Sequence, residues 1–464
     1  MGKYIFTITT FFQLFVFGLT CYYLILGLFG FFRNKEKKIY DPKNKFALII
    51  AAHNEEVVIG NLIESMLKLD YPKEMYDIFV IADNCTDNTA KIARGYNVNV
   101  CERNVSDKRG KGYALEWMFD KLFKMEKQYD AIAIFDADNL VHKNFLKEIN
   151  SKMLQGYKVV QGYIDSKNPN DSWIAAAYSI AFWTQNRMFQ LARANVGFSN
   201  QIGGTGFAIE TDTLRELGWG ATCLTEDLEF TCKLVLNGEK VGWAHDAIIY
   251  DEKPLKLAQS WNQRKRWMQG FTDVASRYFF KLLKKSIVER KFYMFDCALY
   301  VLQPFITLLL GASALLTILQ ANTKGLNIFI MSYLFSDVGW KAFAAVQFLL
   351  TPLVLACDKK VSKGFLAMMF LYSSNVFIVP YLSKTIGDIH FLFIGGIAIL
   401  YNLAFLILTW VFLGKKNLVL FFRFLLYGLY TLTWIPITIQ GIMNKNNKEW
   451  NHTKHVRKIE ICDV

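Results

Sequence analysis

FALIIAAHNEEVVIGNLIESMLKL, residues 46–69, is the stretch of sequence that decides the fold. It opens with a continuous apolar run, 46–52, which is typical of a strand buried on both faces of a parallel sheet. After the polar turn His53–Glu56, apolar residues recur at the spacing of one helix face, namely Val57, Ile59, Leu62, Ile63, Met66, Leu67 and Leu69. A strand, a turn and a helix in this order predict the first half of a β-α-β unit.

The same alternation continues along the chain. Apolar runs typical of further strands occupy residues 78–82, 98–101, 131–135 and 159–163, and a helix is predicted from Gly110 to about Lys127. This order predicts a largely parallel sheet with helices on both faces.

Polar side chains cluster where three of these predicted strands end. The clusters are His53–Glu56, Asp83–Asp87 and Asp136–Asn139. In parallel α/β sheets, ligands bind beyond the carboxyl ends of the strands. The clusters therefore predict a ligand site at one edge of the sheet.

The composition excludes several classes of protein. The chain has 464 residues, of which 53% are hydrophobic, 16% aromatic and 20% charged, so disorder, collagen and a small disulfide-bonded scaffold are excluded. The eight cysteines are scattered without a CxxC pair, which argues against a zinc site and favours a reducing compartment. The net charge of +13 suits an anionic membrane surface or substrate. No nucleic acid partner is expected, because the cations form no separate basic domain.

The N-terminal segment, residues 1–32, is predicted to be a transmembrane helix. No charged residue lies between Lys3 and Arg33, and this length suffices to cross a bilayer. A cleaved signal peptide fits poorly, because the apolar run is too long and no small-residue cleavage site follows. The basic cluster after it consists of Arg33, Lys35, Lys37 and Lys38. Such clusters stay in the cytoplasm, so the N-terminus is expected outside and residues 39–290 inside.

Residues 291–443 are predicted to return to the membrane. Apolar runs near 293–320, 335–357, 364–383 and 389–414 are each long enough to span it. The last apolar stretch, 418–443, contains Arg423 and Pro436, and the basic tail after it, 444–464, is expected in the cytoplasm. We therefore expect a multi-pass protein of the cell membrane, with about four spans and one interfacial or re-entrant segment after the soluble domain.

Two acidic clusters could carry chemistry. Asp136 and Asp138 directly follow a predicted strand, and two carboxylates at this spacing can hold a hard divalent cation. The alternative is a turn stabilised by Asp and Asn side chains. Asp83, at the end of another strand, is placed to meet a ligand's hydroxyl or base edge, whereas Asp87 could equally cap a helix.

Two glycine-containing stretches are equally open to two interpretations. Lys108–Gly112 (KRGKG) brings three cations and two glycines to a predicted helix start, which favours phosphate binding. A solvated basic loop is the alternative. Gly203–Gly206 (GGTG) could line a cleft through which a bulky substrate slides, or it could form a tight turn.

Two further motifs lie on predicted helices. Thr225–Asp227 (TED) fits an ordinary helix start, with Thr as the cap and acids in the first turn, and only the other clusters make Asp227 a candidate general base. The stretch 263–267 (QRKRW) lies on an amphipathic helix, 255–270. One interpretation is a basic helix that lies on the membrane surface. The other is a binding role, in which the Arg binds diphosphate and the Trp stacks on a sugar, and both can hold. The lone His245 is assigned a structural role rather than metal ligation.

Taken in order, these motifs resemble those of the family 2 membrane glycosyltransferases, which include the cellulose, chitin, hyaluronan and bacterial poly-N-acetylglucosamine synthases. The motifs are Ala52–Glu56 (AHNEE), Asp83-Asn84, Asp136–Asp138 (DAD), TED at 225–227 and QxxRW at 263–267. The resemblance covers roughly residues 45–270. It implies an α/β GT-A-like cytoplasmic domain inserted between α-helical transmembrane segments, with an interfacial helix near 255–285.

The resemblance also implies roles for individual residues, which fall into four groups. The nucleotide-binding group is Glu55, Asp83, Lys111, Asp136, Gln263 and Arg266. The acceptor-binding group is Trp267, Thr225, Glu226 and Gly204. Asp138 and Asp136 would hold Mg²⁺ or Mn²⁺, and Asp227 would be the catalytic base.

The activity implied by the resemblance is metal-dependent sugar transfer with inversion, so that an α-linked UDP-sugar yields a β-linkage. We expect UDP-N-acetylglucosamine as the donor, with UDP-glucose left open, and a growing, exported polysaccharide as the acceptor. Addition of one sugar to a lipid-linked acceptor is the first alternative, and a nucleotide-binding transporter or scaffold is the alternative of another class. Two features depart from the family: a single N-terminal span, and a tail after residue 443 too short for a cyclic-dinucleotide-binding domain.

Overall fold

The computed structural model describes residues 2–33, 39–220, 223–322, 336–386, 391–446, 455 and 457–464. The chain divides into two compact units. The sheet unit comprises Leu26–Leu308 and Thr433–Val464, and the helical unit comprises Met1–Ile25 and Leu309–Leu432. The lysines at 35, 37 and 38, and those at 448 and 454, lie outside the described residues, as do parts of the predicted spans near 335 and 389.

The sheet unit is built on eight strands. In chain order they are β1 Phe46–Ala52, β2 Tyr76–Asp83, β3 Asn99–Arg103, β4 Ala131–Asp136, β5 Leu140–Val141, β6 Val159–Ser166, β7 Phe207–Glu210 and β8 Val241–Asp251. Their spatial order is β3-β2-β1-β4-β7-β6-β8-β5. The strands expected from the apolar runs are all present.

The prediction of a largely parallel sheet is only half right. β1 pairs in parallel with β2 and β4, and β2 with β3, as expected. The short strand β7 is antiparallel to both β4 and β6, although β6 and β8 again pair in parallel. The sheet is therefore mixed, and β7 joins its two parallel parts. The predicted α/β class, with long apolar helices elsewhere in the chain, is confirmed.

Helices of the sheet unit, which does not include most of α1, cover both faces of this sheet. In chain order the helices up to the end of the domain are α1 Gly2–Leu28, α2 Ile59–Leu67, α3 Thr89–Arg94, α4 Lys111–Leu122, α5 Phe145–Met153, α6 Trp173–Gln185, α7 Ala192–Asn195, α8 Thr211–Leu217, α9 Glu226–Leu236, α10 Leu257–Glu289 and α11 Phe292–Val301. A π-helical turn, Asn186–Leu191, separates α6 from α7. The predicted helix at 110–127 corresponds to α4, and the one at 255–270 to the first part of α10.

The continuous apolar run of β1 follows from this two-sided covering. Successive side chains of a strand point to opposite faces. Leu48 and Ile50 belong to a core with Leu62 of α2, while Ile49 belongs to a second core with Leu115 of α4. Each face of the strand is buried in a core, so each position of the strand must be apolar.

The remaining helices are α12 Gln303–Asn322, α13 Asp337–Cys357, α14 Lys363–Ser373, α15 Asn375–Ile386, α16 Phe391–Leu432 and α17 Trp434–Met443. Within α16, Gly414 has non-helical angles (φ 76°, ψ 171°), so this element is two helices joined at a kink. The described part of the chain contains four helical stretches long and apolar enough to cross a membrane, at 9–31, 338–357, 363–382 and 395–443. A bent pair, Phe292–Val301 with Gln303–Leu316, is a fifth candidate. The interfacial placement of 418–443 stays a prediction.

Candidate active site

The candidate site begins where β1 and β2 end, at the same edge of the sheet because the two strands are parallel. Asn54 and Asn84 adopt left-handed backbone angles (φ 57° and 50°), which turn the chain sharply after each strand. Asn54 Oδ1 accepts a hydrogen bond from the Thr86 amide at 2.8 Å, and Asn84 Oδ1 accepts one from Val105 at 2.9 Å. These bonds fix the two turns that carry Glu55 and Asp83.

Asp83 is held by an ion pair that the sequence did not reveal. Arg103 Nη1 lies 2.5 Å from Asp83 Oδ1, and both side chains are buried. Asn84 Nδ2 donates to the same oxygen at 2.9 Å. Asp83 Oδ2 accepts no hydrogen bond from the part of the chain that the structure describes, and it can therefore serve a ligand.

Lys111 joins the loop before β7 to the end of β4. Its ammonium forms an ion pair with Asp136 and donates to the Gly204 carbonyl oxygen at 2.6 Å. Burial opposes the charged form, but the Asp136 carboxylate raises the pKa of Lys111 above its usual value. Lys111 is therefore a fixed positive charge at the sheet edge, and phosphate binding by the KRGKG motif stays a prediction.

Gly204, which contacts Lys111, also lies beside Asp227. A Cβ added to Gly204 would lie 3.2 Å from Asp227 Oδ2, and the backbone there is left-handed (φ 84°). The turn is fixed, since Gly203 N–H donates to Gln161 Oε1 at 2.8 Å and the Asp136 amide donates to Thr205 Oγ1 at 3.0 Å. The GGTG stretch is therefore a held tight turn whose small residues let the Asp227 carboxylate approach closely.

Asp227 lies in the first turn of α9, and its Oδ1 accepts a hydrogen bond from the Leu228 amide at 2.8 Å. Removal from water raises the pKa of Asp227, while the charges of Lys111 and Arg266 oppose the rise. Burial also raises the pKa of the neighbouring Glu226, and the Asp227 charge adds to this. A carboxylate with a raised pKa accepts a proton more readily, which suits a general base.

The helix α10 carries the QRKRW stretch to the start of α9. A Cβ added to Gly270 would lie 2.8 Å from Thr225 Cβ, so the two helices touch at this glycine. Arg266, one turn before, is near enough to Glu226 and Asp227 for its charge to lower the pKa of both. The contact between the two helices therefore brings the TED and QRKRW motifs together.

Gln263 and Trp267 lie on one face of α10 in an aromatic cluster. Tyr178 O–H donates to Gln263 Oε1 at 2.5 Å, and the Tyr178 ring meets Trp267 edge-on at 5.9 Å between centroids. Trp267 also stacks on Trp434 of α17, with centroids 6.5 Å apart and planes inclined by 24°. Flat aromatic faces of this kind bind sugar rings. Tyr178 and Trp434 were not expected from sequence.

The Asp138 side chain contacts the chain just after the end of β8. Its Oδ2 accepts a hydrogen bond from the Glu252 amide at 3.0 Å, and its carbonyl accepts one from the buried Lys167 ammonium at 2.8 Å. Burial, together with the nearby Asp138 charge, raises the pKa of Asp251 to about 6, although the Lys253 ammonium opposes the rise. The predicted pair Asp136 and Asp138 is thus divided between Lys111 and the end of β8.

Asp138 and its neighbour Asp251 have the chemistry of ligands to a divalent cation. Carboxylate oxygens are the ligands that Mg²⁺ and Mn²⁺ prefer, and two buried acids that repel one another gain from a shared cation. Among the residues that the structure describes, no three His, Cys, Asp or Glu side chains already surround a common centre. The donor set therefore suits the ion without forming a closed cage.

The C-terminal tail contributes a side chain that sequence reasoning missed. His455 Nδ1 lies 2.9 Å and 3.0 Å from the two carboxylate oxygens of Glu55, and its Nε2 lies 3.8 Å from Asp138 Oδ2. Burial alone would lower the pKa of His455, but the two carboxylates raise it to about 10.

The tail around His455 is held to the sheet unit by two further bonds. Asn61 Nδ2 donates to the Ile459 carbonyl at 2.7 Å, and Arg457 Nε donates to Asp171 Oδ2 at 2.7 Å. The sequence signal was weak, because it amounted to two histidines in a short basic segment far from every motif. The tail thus places a cation between the predicted nucleoside contact, Glu55, and the predicted metal ligand, Asp138.

In comparison with protein families, residues 42–270 match the family described as "Glycosyltransferase like family 2". Among curated proteins, the chain is 30% identical over 263 residues to "Probable glycosyltransferase YdaM" of Bacillus subtilis (strain 168), covering 54% of this chain and 61% of that protein. It is 28% identical over 332 residues to "Beta-monoglucosyldiacylglycerol synthase" of Nostoc sp., covering 67% and 66%.

A third relative is "Poly-beta-1,6-N-acetyl-D-glucosamine synthase" of Staphylococcus aureus (strain COL), 25% identical over 286 residues, covering 60% of this chain and 66% of that one. The chain thus spans less than two thirds of each of these relatives.

Two solved structures are similar in outline. They are the mannosyltransferase PcManGT from Pyrobaculum calidifontis in complex with GDP-Man and Mn²⁺ (TM-score 0.45, 17% identity, 75% of this chain and 98% of that one) and S. aureus TarS 1-349 in complex with UDP-GlcNAc (TM-score 0.40, 16% identity, 74% and 92%).

Proposed function

Because residues 42–270 match the family described as "Glycosyltransferase like family 2", we propose that this protein transfers a sugar from a nucleoside diphosphate to a hydroxyl acceptor, with inversion at the anomeric carbon. The observation that carries the proposal is the convergence of Asp227 with the Gly204–Lys111–Asp136 contact. An acid with a raised pKa and a fixed cation close to it are what a displacement on a diphosphate-activated sugar requires.

The proposed reaction is a single displacement. Asp227 takes the proton from the acceptor hydroxyl while that oxygen forms a bond to the anomeric carbon. The bond between this carbon and the diphosphate oxygen breaks, and both electrons leave with the diphosphate. Lys111 and Arg266 stabilise the charge that develops on it. Attack from the opposite face converts an α-linked donor into a β-linked product.

A divalent cation fits the proposal at Asp138, with Asp136 and Asp251 as its candidate companions. Mg²⁺ or Mn²⁺ bound there would supply charge neutralisation for the diphosphate. The protein's own part is to hold Asp138 in place, through the Glu252 amide and the Lys167 ammonium.

Asp138→Asn should impair donor binding and turnover together, because both draw on the same cation. We expect the turnover to fall by roughly 100-fold, since charge neutralisation by a metal is worth several kcal/mol. Calorimetric titration of UDP at increasing Mg²⁺, beside initial rates, measures the two effects, and excess Mg²⁺ should restore part of each. Asp212→Asn, which changes an exposed acid of α8, is the matched control. Unchanged UDP affinity in Asp138→Asn would count against this role.

A pH profile tests the proposed general base. Since the pKa of Asp227 is raised, kcat should fall with decreasing pH at a higher pH than an ordinary aspartate would give. Lys111 lowers the pKa of Asp227, so Lys111→Met should raise it further and move this acid limb to still higher pH, besides reducing the rate. Lys108→Met, in the same loop, should keep the wild-type profile. An identical acid limb in both variants would contradict the assignment.

For the donor, we propose UDP-N-acetylglucosamine, and for the product a β-linked polysaccharide whose synthesis is coupled to export. The support is the similarity to a protein named as a poly-N-acetylglucosamine synthase, together with the helices that could cross a membrane. We further propose that the sheet unit lies in the cytoplasm and the N-terminus outside, as the basic residues at 33–38 predict.

A second candidate function is the addition of one sugar to a lipid acceptor. The similarity to a protein named as a monoglucosyldiacylglycerol synthase favours it. The test is the length of the product made by the purified protein from labelled UDP-sugars and Mg²⁺. A ladder or high polymer supports the polysaccharide, whereas a single addition to lipid supports the second candidate. UDP-sugar binding without any release of UDP would instead support a transporter or scaffold.

A further inference from the structure

The second half of α10 has two contrasting faces. Its inner face packs into a core with α9 and α11, in which Val274, Ala275 and Leu282 are buried. Its outer face exposes large apolar side chains: Phe280 is 77% exposed, Val288 73% and Ile287 70%. Phe280 meets the ring of its neighbour Phe279 edge-on, yet these three outer side chains remain largely exposed among the residues that the structure describes.

Cations are interleaved with these exposed side chains. Between 273 and 292 the chain carries six cations, Arg277, Lys281, Lys284, Lys285, Arg290 and Lys291, against two acids. Both acids are engaged: Asp273 with Arg277, and Glu289 with Lys285 and Lys291. Lys281 and Lys284 flank Phe280 on the exposed side, so the outer face is apolar and positively charged.

This combination suits a bilayer surface with anionic headgroups better than it suits a protein. Aromatic and aliphatic side chains enter the boundary of the acyl chains, while lysine ammonium groups extend to the phosphates. The position along the chain agrees with this, because α10 is followed at once by Phe292–Val301 and Gln303–Leu316, the bent pair that could itself enter a membrane. The positive charge of this face and the apolar helices that follow α10 thus both favour a bilayer surface.

We propose that the outer face of α10, which consists of Phe280, Lys281, Lys284, Ile287 and Val288, binds anionic phospholipids and that this contact raises the transfer rate. α10 is one continuous helix, Leu257–Glu289, so the segment bound to lipid also carries Gln263, Arg266 and Trp267. Fixing one end of a rigid helix restricts the position of the other. The effect on rate rests on the proposed function, whereas lipid binding does not.

The experiment uses the full chain in nanodiscs of phosphatidylcholine, with and without about one third phosphatidylglycerol, a density of negative charge that attracts basic segments. Two readouts are taken: the phosphatidylglycerol molecules retained per chain, by native mass spectrometry, and the initial rate of UDP release. Wild type should retain the anionic lipid and react several-fold faster with it, and both effects should weaken at high salt. Lys281→Gln with Lys284→Gln should lose the retention and the acceleration.

The matched control removes two exposed lysines elsewhere, Lys121→Gln with Lys124→Gln, and should behave as wild type. Retention of anionic lipid by the Lys281/Lys284 variant at the wild-type level would overturn the proposal, as would equal lipid retention and rate in wild type with either lipid mixture. If no UDP is released under any condition, the retention readout still decides the lipid proposal, and only the transferase function fails.

Discussion

Asp227→Asn should abolish sugar transfer while leaving the donor bound. The asparagine keeps the size and most contacts of the side chain but cannot take a proton, so the loss falls on the transition state alone. General-base catalysis contributes about 10²- to 10⁴-fold, and we expect kcat to fall within that range. Rapid-quench turnover and calorimetric titration of UDP measure the two quantities separately.

The control for this substitution is Asp120→Asn, on the exposed side of α4, which should keep wild-type turnover. If Asp227→Asn weakened UDP binding as much as it slowed turnover, Asp227 would be a donor ligand and not the base. If turnover stayed within a few-fold of wild type, a group other than Asp227 would have to take the proton of the acceptor hydroxyl.

Gly270→Ala should give the second large effect, although Gly270 belongs to none of the predicted site groups. The added methyl would overlap the Thr225 side chain, including its Oγ1 and Cγ2, and so push the TED segment away from α10. A displacement of about 1 Å in a catalytic group can cost roughly 100-fold in rate, which is the loss we expect. Alanine favours a helix over glycine by about 1 kcal/mol, so α10 itself should persist.

Two variants separate this displacement from unfolding. Gly428→Ala adds a methyl where no neighbouring atom lies within 4 Å, and it should keep full activity. Thr225→Ala combined with Gly270→Ala removes part of the overlap and should recover part of the rate lost by Gly270→Ala. Circular dichroism and thermal melting would show whether each variant remains folded. Wild-type kcat in Gly270→Ala would mean that the contact between α9 and α10 does not position Asp227.

β1, β2 and β4 could be predicted because burial on both faces of the sheet makes almost every position apolar. β6 was also predicted, from the apolar run at 159–163, but the signal fails for β7 and β8. β7 has only four residues and follows a glycine-rich turn, so it offers no run to recognise. β8 is interrupted by His245 and Asp246, and its pairing with β6 shifts register at Gly162/Tyr163. The polarity of strand pairing then depends on contacts between distant segments, which periodicity does not record.

The candidate site, like the sheet, could be predicted from the sequence only in part. Asp136, Lys111 and Asp227 could be selected because each occupies a strand end or helix start, where polar side chains meet ligands. The structure brings these three together, and their roles remain predictions. Arg103, Tyr178 and Trp434 were missed because each lies in a segment that reads as ordinary strand or helix. His455 was missed because its partner Glu55 is 400 residues away along the chain.

The stereochemistry of transfer tests the central claim most directly. The purified protein is incubated with a ¹³C-labelled UDP-α-sugar, Mg²⁺ and acceptor, and the one-bond carbon–proton coupling at the anomeric centre of the product is read by NMR. A single displacement assisted by Asp227 predicts a β-linked product. An α-linked product would require a second displacement or front-face attack, and would contradict the mechanism built on Asp227.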